Sequence, residues 1–228
     1  MDLSYLSTYY TYFLTGARNA ILLSVFSMCI SIMLGIMLAL LRLSKLKIPK
    51  LLAVSYVEFI RGTPLMIQLF IIFYGLPMIG ISIPSLTFFD TDISRFLSGM
   101  IAMALNSSAY VCEIFRSGIQ SVDGGQVEAS RSLGFNYSST MRFIVLPQAL
   151  RNILPALGNE LVTVIKESSV ISVIGVQELM YNTTIVRSTT YKSFSPLIIT
   201  ALIYFVITFT VSKLLGKFEK RMSRSNAR

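Results

Sequence analysis

The sequence contains no histidine, no tryptophan and only two cysteines among its 228 residues. Histidine is the side chain that most often binds transition metals and moves protons near neutral pH. We therefore expect no metal site, and an intramembrane enzyme that depends on a metal cluster or a histidine-containing triad is disfavoured. Charged residues make up only 14% of the chain, which does not suit a surface that faces water.

A phosphate-binding loop is missing as well. Such a loop has the pattern G-x-x-x-x-G-K-[S/T], in which backbone amides surround the phosphates and the last residue binds Mg²⁺. The only Gly-Lys pair, Gly216-Lys217, is followed by Phe218. We therefore expect this chain to bind no ATP through such a loop, and no other cofactor.

Apolar residues are abundant instead, at 54% with a mean hydropathy of +0.68. A bilayer core of about 30 Å requires about 20 apolar residues per helical span. We predict an all-α, multi-pass membrane protein with about five transmembrane helices, near residues 19–41, 54–76, 96–112, 152–176 and 193–212. Cys29 and Cys112 fall in two of these spans, and we predict that both are buried. No charge-free stretch begins at residue 1, so we expect no cleavable signal peptide.

The basic residues indicate the orientation. They follow the first and fifth spans and occupy the connection between the third and fourth, and together these segments hold 14 of the 20. Because cytoplasmic segments are enriched in Lys and Arg, we predict the N-terminus outside and the C-terminus in the cytoplasm. Topology and the lipid bilayer then account for the positive charge without nucleic acid.

About forty residues between the third and fourth spans are predicted to stay in the cytoplasm, which is long for a simple turn. Residues 125–134 predict a short helix that begins at Gly125 and stops at Gly134. Val127, Ser130, Leu133 and Gly134 share one face of that helix. A short helix of this kind suits docking in a partner's groove, while an amphipathic helix lying at the membrane interface is the alternative.

The predicted fourth span contains Glu160, Lys166 and Glu167. A charge inside a bilayer is costly, and ion pairs along one helix need a spacing of three or four residues, which these three lack. We predict that Asn159, Glu160 and Thr163 face the substrate and that Lys166 and Glu167 have a structural role. A purely structural network between helices is the alternative.

The cytoplasmic segment resembles the EAA loop of ABC-importer permeases in Glu128-Ala129, in Gly134, and in Ile144-Val145-Leu146-Pro147. The resemblance implies that this loop docks on the ATPase subunit. The residues it implies for coupling to the ATPase are Gln126, Glu128, Ala129, Gly134, Leu146 and Pro147. Ser130 stands where the family usually has a second alanine, and Asp123 stands in place of a common proline.

Wider matches resemble the polar amino-acid uptake subfamily. They are Glu58 to Leu65 with Gln68, Asn106 to Tyr110 with Glu113, Leu146 to Ala149, Asn159-Glu160, Lys166 to Ser169, and Ser172 to Gly175. The resemblance extends over nearly the whole chain from Gly16 through the fifth span.

This resemblance implies a type I ABC-importer permease fold, with a transmembrane domain at 16–216, a coupling loop at 116–150 and a basic cytoplasmic tail at 217–228. It also implies a bacterial inner-membrane subunit that translocates polar amino acids by alternating access. The implied partners are an ATPase subunit dimer that binds ATP and Mg²⁺, a second permease subunit that is identical or similar, and an extracellular or periplasmic substrate-binding protein. An ATP-independent channel or secondary transporter for small polar solutes is the alternative function.

Overall fold

The computed structural model of the chain describes residues 4–81, 87–88 and 91–224. Nine α-helices lie within these ranges: α1 Leu6–Leu43, α2 Lys47–Gly62, α3 Leu65–Met78, α4 Ile93–Gln120, α5 Gly124–Ser132, α6 Tyr137–Thr140, α7 Leu146–Glu167, α8 Leu179–Thr190 and α9 Ser195–Arg224. A π-helical turn, Met141–Val145, precedes α7, and a 3-10 helix, Ser168–Ile174, follows it. Thr87–Phe88 and Thr91–Asp92 form a two-residue antiparallel pair before α4. The all-α prediction is confirmed.

Small residues bring α1 and α4 together at the centre of the fold. Ser27 and Ser31 of α1 donate hydrogen bonds to the carbonyls of Met100 (3.2 Å) and Ala104 (3.0 Å). Both contacts advance by four residues, so the two helices run in the same direction. One turn further on, a Cβ at Gly35 would lie 3.0 Å from the carbonyl oxygen of Ser108. Small side chains thus allow close backbone approach here, although the chain contains no strict G-x-x-x-G.

The later helices alternate in direction around this pair. Asn152 of α7 donates to Ser121 near the end of α4, and Glu160 bonds to Ser107 higher on the same helix, so α7 runs antiparallel to α4. Asn182 of α8 donates to the Tyr12 carbonyl of α1. Tyr204 of α9 lies beside Ser168 after the end of α7, and Leu215 lies against Gly158 of α7. α9 therefore runs antiparallel to α7, in the same direction as α1 and α4. This alternation agrees with the predicted topology. Which side of the membrane each helix end faces stays a prediction.

The second predicted span is wrong as one continuous helix. α2 and α3 are separated at Thr63 and Pro64 and meet at a bend of 110°. Proline has no amide hydrogen to continue a helix and forces the residue before it into an extended conformation. Thr63 accordingly has φ −121° and ψ 145°. Apolar residues lie on both sides of Pro64, so the sequence did not indicate the change in helix direction there.

Two side chains satisfy the carbonyls that this break exposes. In a continuous helix the Ile60 carbonyl would accept from residue 64, but Pro64 cannot donate. The Gln68 amide donates to that carbonyl instead (2.8 Å), and also to the Thr63 hydroxyl (2.8 Å). The Thr63 hydroxyl donates to the Phe59 carbonyl (2.9 Å). Side-chain hydrogen bonds therefore stabilise the bend, and the two helix ends that meet there are not frayed.

The observed bounds extend most of the predicted spans. By length and hydropathy alone, α1 and Ser195–Phe218 of α9 are long and apolar enough to cross a membrane, and the bent pair is a third candidate among the described residues. Polar residues lower the hydropathy of α4 and α7, so the count of five stays a prediction. Most of the predicted tail is a continuation of α9, and residues 225–228 lie outside the described ranges.

The prediction for the two cysteines is half right. Cys112 is buried between α1, α2 and α4, whereas Cys29 is exposed. Cys29 shares the outer surface of α1 with exposed apolar residues such as Phe26 and Met33. An apolar helix face that the described residues leave uncovered suits contact with lipid, where cysteine is as acceptable as it is in a core.

Candidate functional site

The predicted substrate-facing residues lie together in the second half of α7. Asn159 is exposed, and Glu160 and Thr163 are half-buried. The Thr163 hydroxyl bonds to the Asn159 carbonyl of its own helix (3.2 Å). Asn159, Thr163 and Lys166 recur at intervals of four and three residues and therefore share one face. α7 thus presents a polar strip that the described part of this chain leaves partly uncovered.

Glu160 lies at the edge of this strip and bonds to another helix. Ser107 of α4 donates its hydroxyl hydrogen to the Glu160 Oε1 atom at 2.7 Å. One carboxylate oxygen is held by α4 in this way. The other oxygen can accept a hydrogen bond from a positively charged or amide-containing ligand.

Lys166 and Glu167 do not neutralise Glu160. Lys166 is exposed and Glu167 is half-buried, and none of the ion pairs found among the described residues includes any of the three. Their spacing along α7 explains this result. The predicted structural role of Lys166 and Glu167 stays a prediction.

The predicted loop helix is present as α5, and its first turn explains one departure from the family pattern. Asp123 is the N-cap residue, and its carboxylate accepts from the Gly125 amide at 2.7 Å. Aspartate is among the strongest N-cap residues because it satisfies an amide that the helix leaves unpaired. Asp123 therefore starts the helix without the usual proline.

The end of α5 is a Schellman motif centred on Gly134. The Gly134 amide donates to the Arg131 carbonyl (3.0 Å), and the Phe135 amide donates to the Ser130 carbonyl (3.1 Å). Gly134 has φ +87°, in the left-handed region, and a Cβ there would meet nothing within 4 Å. Within this chain, glycine is needed for its conformation and not for space.

The predicted common face of α5 is only partly correct. Ser130 is buried and bonds to the Thr140 hydroxyl (2.9 Å), which joins α5 to α6. Val127 is half-buried on the same side. Leu133 and Gly134 are instead exposed, with 80% of the Leu133 surface accessible. Serine in place of the usual alanine thus forms an internal contact.

The exposed side of α5 carries the predicted coupling residues Gln126, Glu128 and Ala129. Leu146 and Pro147, also exposed, begin α7. The Leu146 amide donates to the Met141 carbonyl five residues earlier, which forms the π-helical turn. This wider turn accommodates Pro147, which would clash with a carbonyl in a straight α-helix. All six predicted coupling residues therefore lie on the exposed surface of one compact loop.

Two contacts between the sequence motifs were not predicted. Asn106 of α4 donates to the Gln68 side-chain carbonyl at 2.9 Å, and Glu113 pairs with Arg61 at 3.6 Å. The motif around residues 58–68 therefore packs on the motif around residues 106–113. The sequence signal was the clustering of polar residues in two apolar segments, but their spacing did not indicate which would meet.

No set of three or more Cys, Asp or Glu side chains among the described residues is placed to hold a metal ion. The polar strip on α7 instead combines amide, carboxylate and hydroxyl groups, which suit an organic ligand with hydrogen-bond donors.

Comparison with known proteins identifies the family. The sequence model for binding-protein-dependent transport system inner membrane components matches residues 31–224, which is most of the chain. The chain belongs to this family. The permease is therefore a membrane-embedded transport subunit of an ABC importer, and ATP hydrolysis belongs to a separate subunit.

Full-length relatives support the same assignment. The permease is 36% identical over 225 residues to the probable glutamine ABC transporter permease protein GlnM of Bacillus subtilis, covering 99% of this chain and 100% of the relative. It is 38% identical over 215 residues to the arginine transport system permease protein ArtQ of Bacillus subtilis, covering 94% of each chain.

Solved structures agree with these relatives. A chain of an amino acid ABC transporter crystallised with histidines superposes with a TM-score of 0.89 at 46% identity, covering 97% of the permease and 99% of that chain. A chain of the MetNI methionine ABC transporter in an inward-facing conformation gives a TM-score of 0.68 at 15% identity, with the same coverage. The second similarity shows the fold alone, and together they confirm the type I importer fold.

Proposed function

We propose that this permease translocates polar amino acids across the bacterial inner membrane by alternating access, driven by an ATPase dimer docked on residues 116–150. The observation that carries the proposal is the exposed α5 surface. The chain builds a capped helix with its coupling residues outward, yet its sequence contains no phosphate-binding loop of its own. An ATP-independent channel would have no use for such a helix.

The docking surface combines charge with exposed apolar groups. Glu128 and Arg131 are exposed on α5, and Leu133, Tyr137 and Phe143 expose large apolar side chains nearby along the loop. Exposed apolar side chains rimmed by polar ones are typical of protein interfaces. We propose that Gln126, Glu128, Ala129, Gly134, Leu146 and Pro147 contact the ATPase and transmit its closure to α7.

The substrate proposal rests on α7 and on the relatives. Asn159, Glu160 and Thr163 offer an amide, a carboxylate and a hydroxyl, which match the ammonium and polar groups of an amino acid. The relatives are named for glutamine and arginine, and both ligands present nitrogen donors to a carboxylate. We propose these two amino acids as the first probes.

The remaining organisation follows from the same proposal. Residues 16–216 form the transmembrane domain, and residues 217–228 form a basic cytoplasmic tail, of which residues 217–224 continue α9. A second permease subunit, identical or similar, covers the open polar strip of α7, and a substrate-binding protein delivers the amino acid from outside. ATP and Mg²⁺ are bound by the ATPase.

Reconstitution tests the proposal as a whole. We expect proteoliposomes that contain the permease, its ATPase and its binding protein to accumulate radiolabelled glutamine or arginine only when ATP is enclosed with the ATPase. Uptake that persists without the ATPase would support a channel or a secondary transporter. ATP-driven uptake of neither amino acid would overturn glutamine and arginine as its substrates.

Two substitutions at Gly134 separate conformation from docking. Gly134→Asn adds a side chain but tolerates the left-handed conformation, whereas Gly134→Val adds a side chain that does not. If the ATPase lies close to Gly134, we expect both variants to raise the ATP hydrolysed per amino acid transported. If only the valine variant does so, the effect comes from strain of about 1–2 kcal/mol in the loop, and close approach at Gly134 is wrong.

A further inference from the structure

Glu113 on α4 gathers three arginines from three helices. It bonds to Arg42 at the end of α1, to Arg116 on α4 at 2.7 Å, and pairs with Arg61 in the last turn of α2 at 3.6 Å. The Glu113 side chain is only 18% exposed and that of Arg42 14%. One carboxylate thus holds three separate segments of the chain together.

The same face of α4 holds the other side of the bend. Asn106, Tyr110 and Glu113 recur at intervals of four and three residues, so they share one helix face. Asn106 bonds to Gln68 in the first turn of α3, and the Arg61 guanidinium lies 5.7 Å from the centre of the Tyr110 ring. We call these contacts of Arg61 and Gln68 with Asn106, Tyr110 and Glu113 the α4 seam.

The α4 seam attaches both halves of the bent span to one helix. A break at Thr63-Pro64 would otherwise act as a hinge, because no backbone hydrogen bond of a continuous helix crosses it. We propose that Glu113 is a positioning residue of the transport cycle, which fixes the bend so that α2, α3 and α4 move as one body. The next residue after Asn106, Ser107, bonds to Glu160, so this body also reaches α7.

Removing the carboxylate charge is the direct test. In the reconstituted complex of permease, ATPase and binding protein, Glu113→Gln leaves three guanidinium groups around a neutral side chain. We expect the ATP hydrolysed per amino acid transported to rise by about fivefold or more, the usual lower range of coupling between sites. Glu113→Asp keeps the charge and should stay nearer the wild-type ratio.

Loss of folded permease lowers uptake and ATP hydrolysis in proportion, so a raised ratio excludes a lower amount of folded protein as its cause. Glu58→Gln is the matched control, since Glu58 is an exposed acid on α2 outside the α4 seam. If Glu113→Gln does not insert, Arg61→Gln replaces it, because it loosens the bend but leaves Glu113 with Arg42 and Arg116. A wild-type ratio in the variant that is measured would overturn the proposal.

Distances test the single moving body. Spin labels on Ser55 of α2 and Ser117 of α4, both exposed, are introduced with Cys29 and Cys112 replaced by alanine. We expect one narrow distance that is the same without nucleotide and with ATP trapped, and a broadened distribution in Glu113→Gln. A distance that changes between the two states of the otherwise wild-type protein would contradict movement as one body.

Discussion

Replacing Glu160 by Gln is expected to weaken amino-acid binding to the permease by about tenfold or more, because a hydrogen bond to a charged group contributes about 1.5–3 kcal/mol. The carbonyl oxygen of the introduced glutamine would still accept from Ser107, so the fold around α4 and α7 is preserved and only the charge is lost. The measurement is binding of radiolabelled glutamine or arginine to the purified permease–ATPase complex in nanodiscs, followed by uptake in proteoliposomes.

A second substitution separates the charge of Glu160 from its orientation. Ser107→Ala removes the hydroxyl that holds Oε1 and leaves the carboxylate in place. We expect a smaller loss of affinity from Ser107→Ala than from Glu160→Gln. Glu58→Gln, an exposed acid on α2, controls for loss of a negative charge elsewhere. Unchanged affinity in Glu160→Gln would mean that the polar strip on α7 is structural.

Replacing Gln68 by Leu should destabilise the permease by about 2–6 kcal/mol, since the Ile60 carbonyl and the Asn106 amide would each lose a buried partner at about 1–3 kcal/mol. Gln68 is 5% exposed, and its amide makes hydrogen bonds on both sides. Leucine has a similar volume, so the loss reflects hydrogen bonding more than packing. Unfolding in mixed micelles measures it.

Pro64→Ala tests whether a backbone donor can replace the hydrogen bond that Gln68 makes to the Ile60 carbonyl. Alanine restores the amide hydrogen that can bond to the Ile60 carbonyl if α2 and α3 straighten. In the Gln68→Leu background we expect Pro64→Ala to recover part of the lost stability while reducing the 110° bend, measured between spin labels on Ser55 and Ile71. Gln120→Leu, at an exposed position on α4, is the control. A Gln68→Leu variant as stable as the control would show that Gln68 does not hold the bend.

Local patterns in the sequence were sufficient to predict much of this molecule. Long apolar runs predicted helices because a backbone in lipid must satisfy its own hydrogen bonds. The predicted loop helix appeared within one or two residues of its expected bounds, since an N-cap and a stop glycine are local features. Polar residues in mid-span predicted the α7 strip because charges in a bilayer require partners or ligands.

The tertiary structure decided which distant groups meet. No spacing along the chain indicates that Glu113 pairs with Arg42 and Arg61, or that Gln68 replaces the donor that Pro64 lacks. The tertiary structure also decided the direction of the chain after Pro64, the exposure of Cys29 and the burial of Ser130. A proline shows where a helix is interrupted, but the angle across the break depends on contacts with other helices, and those contacts form only when the chain packs.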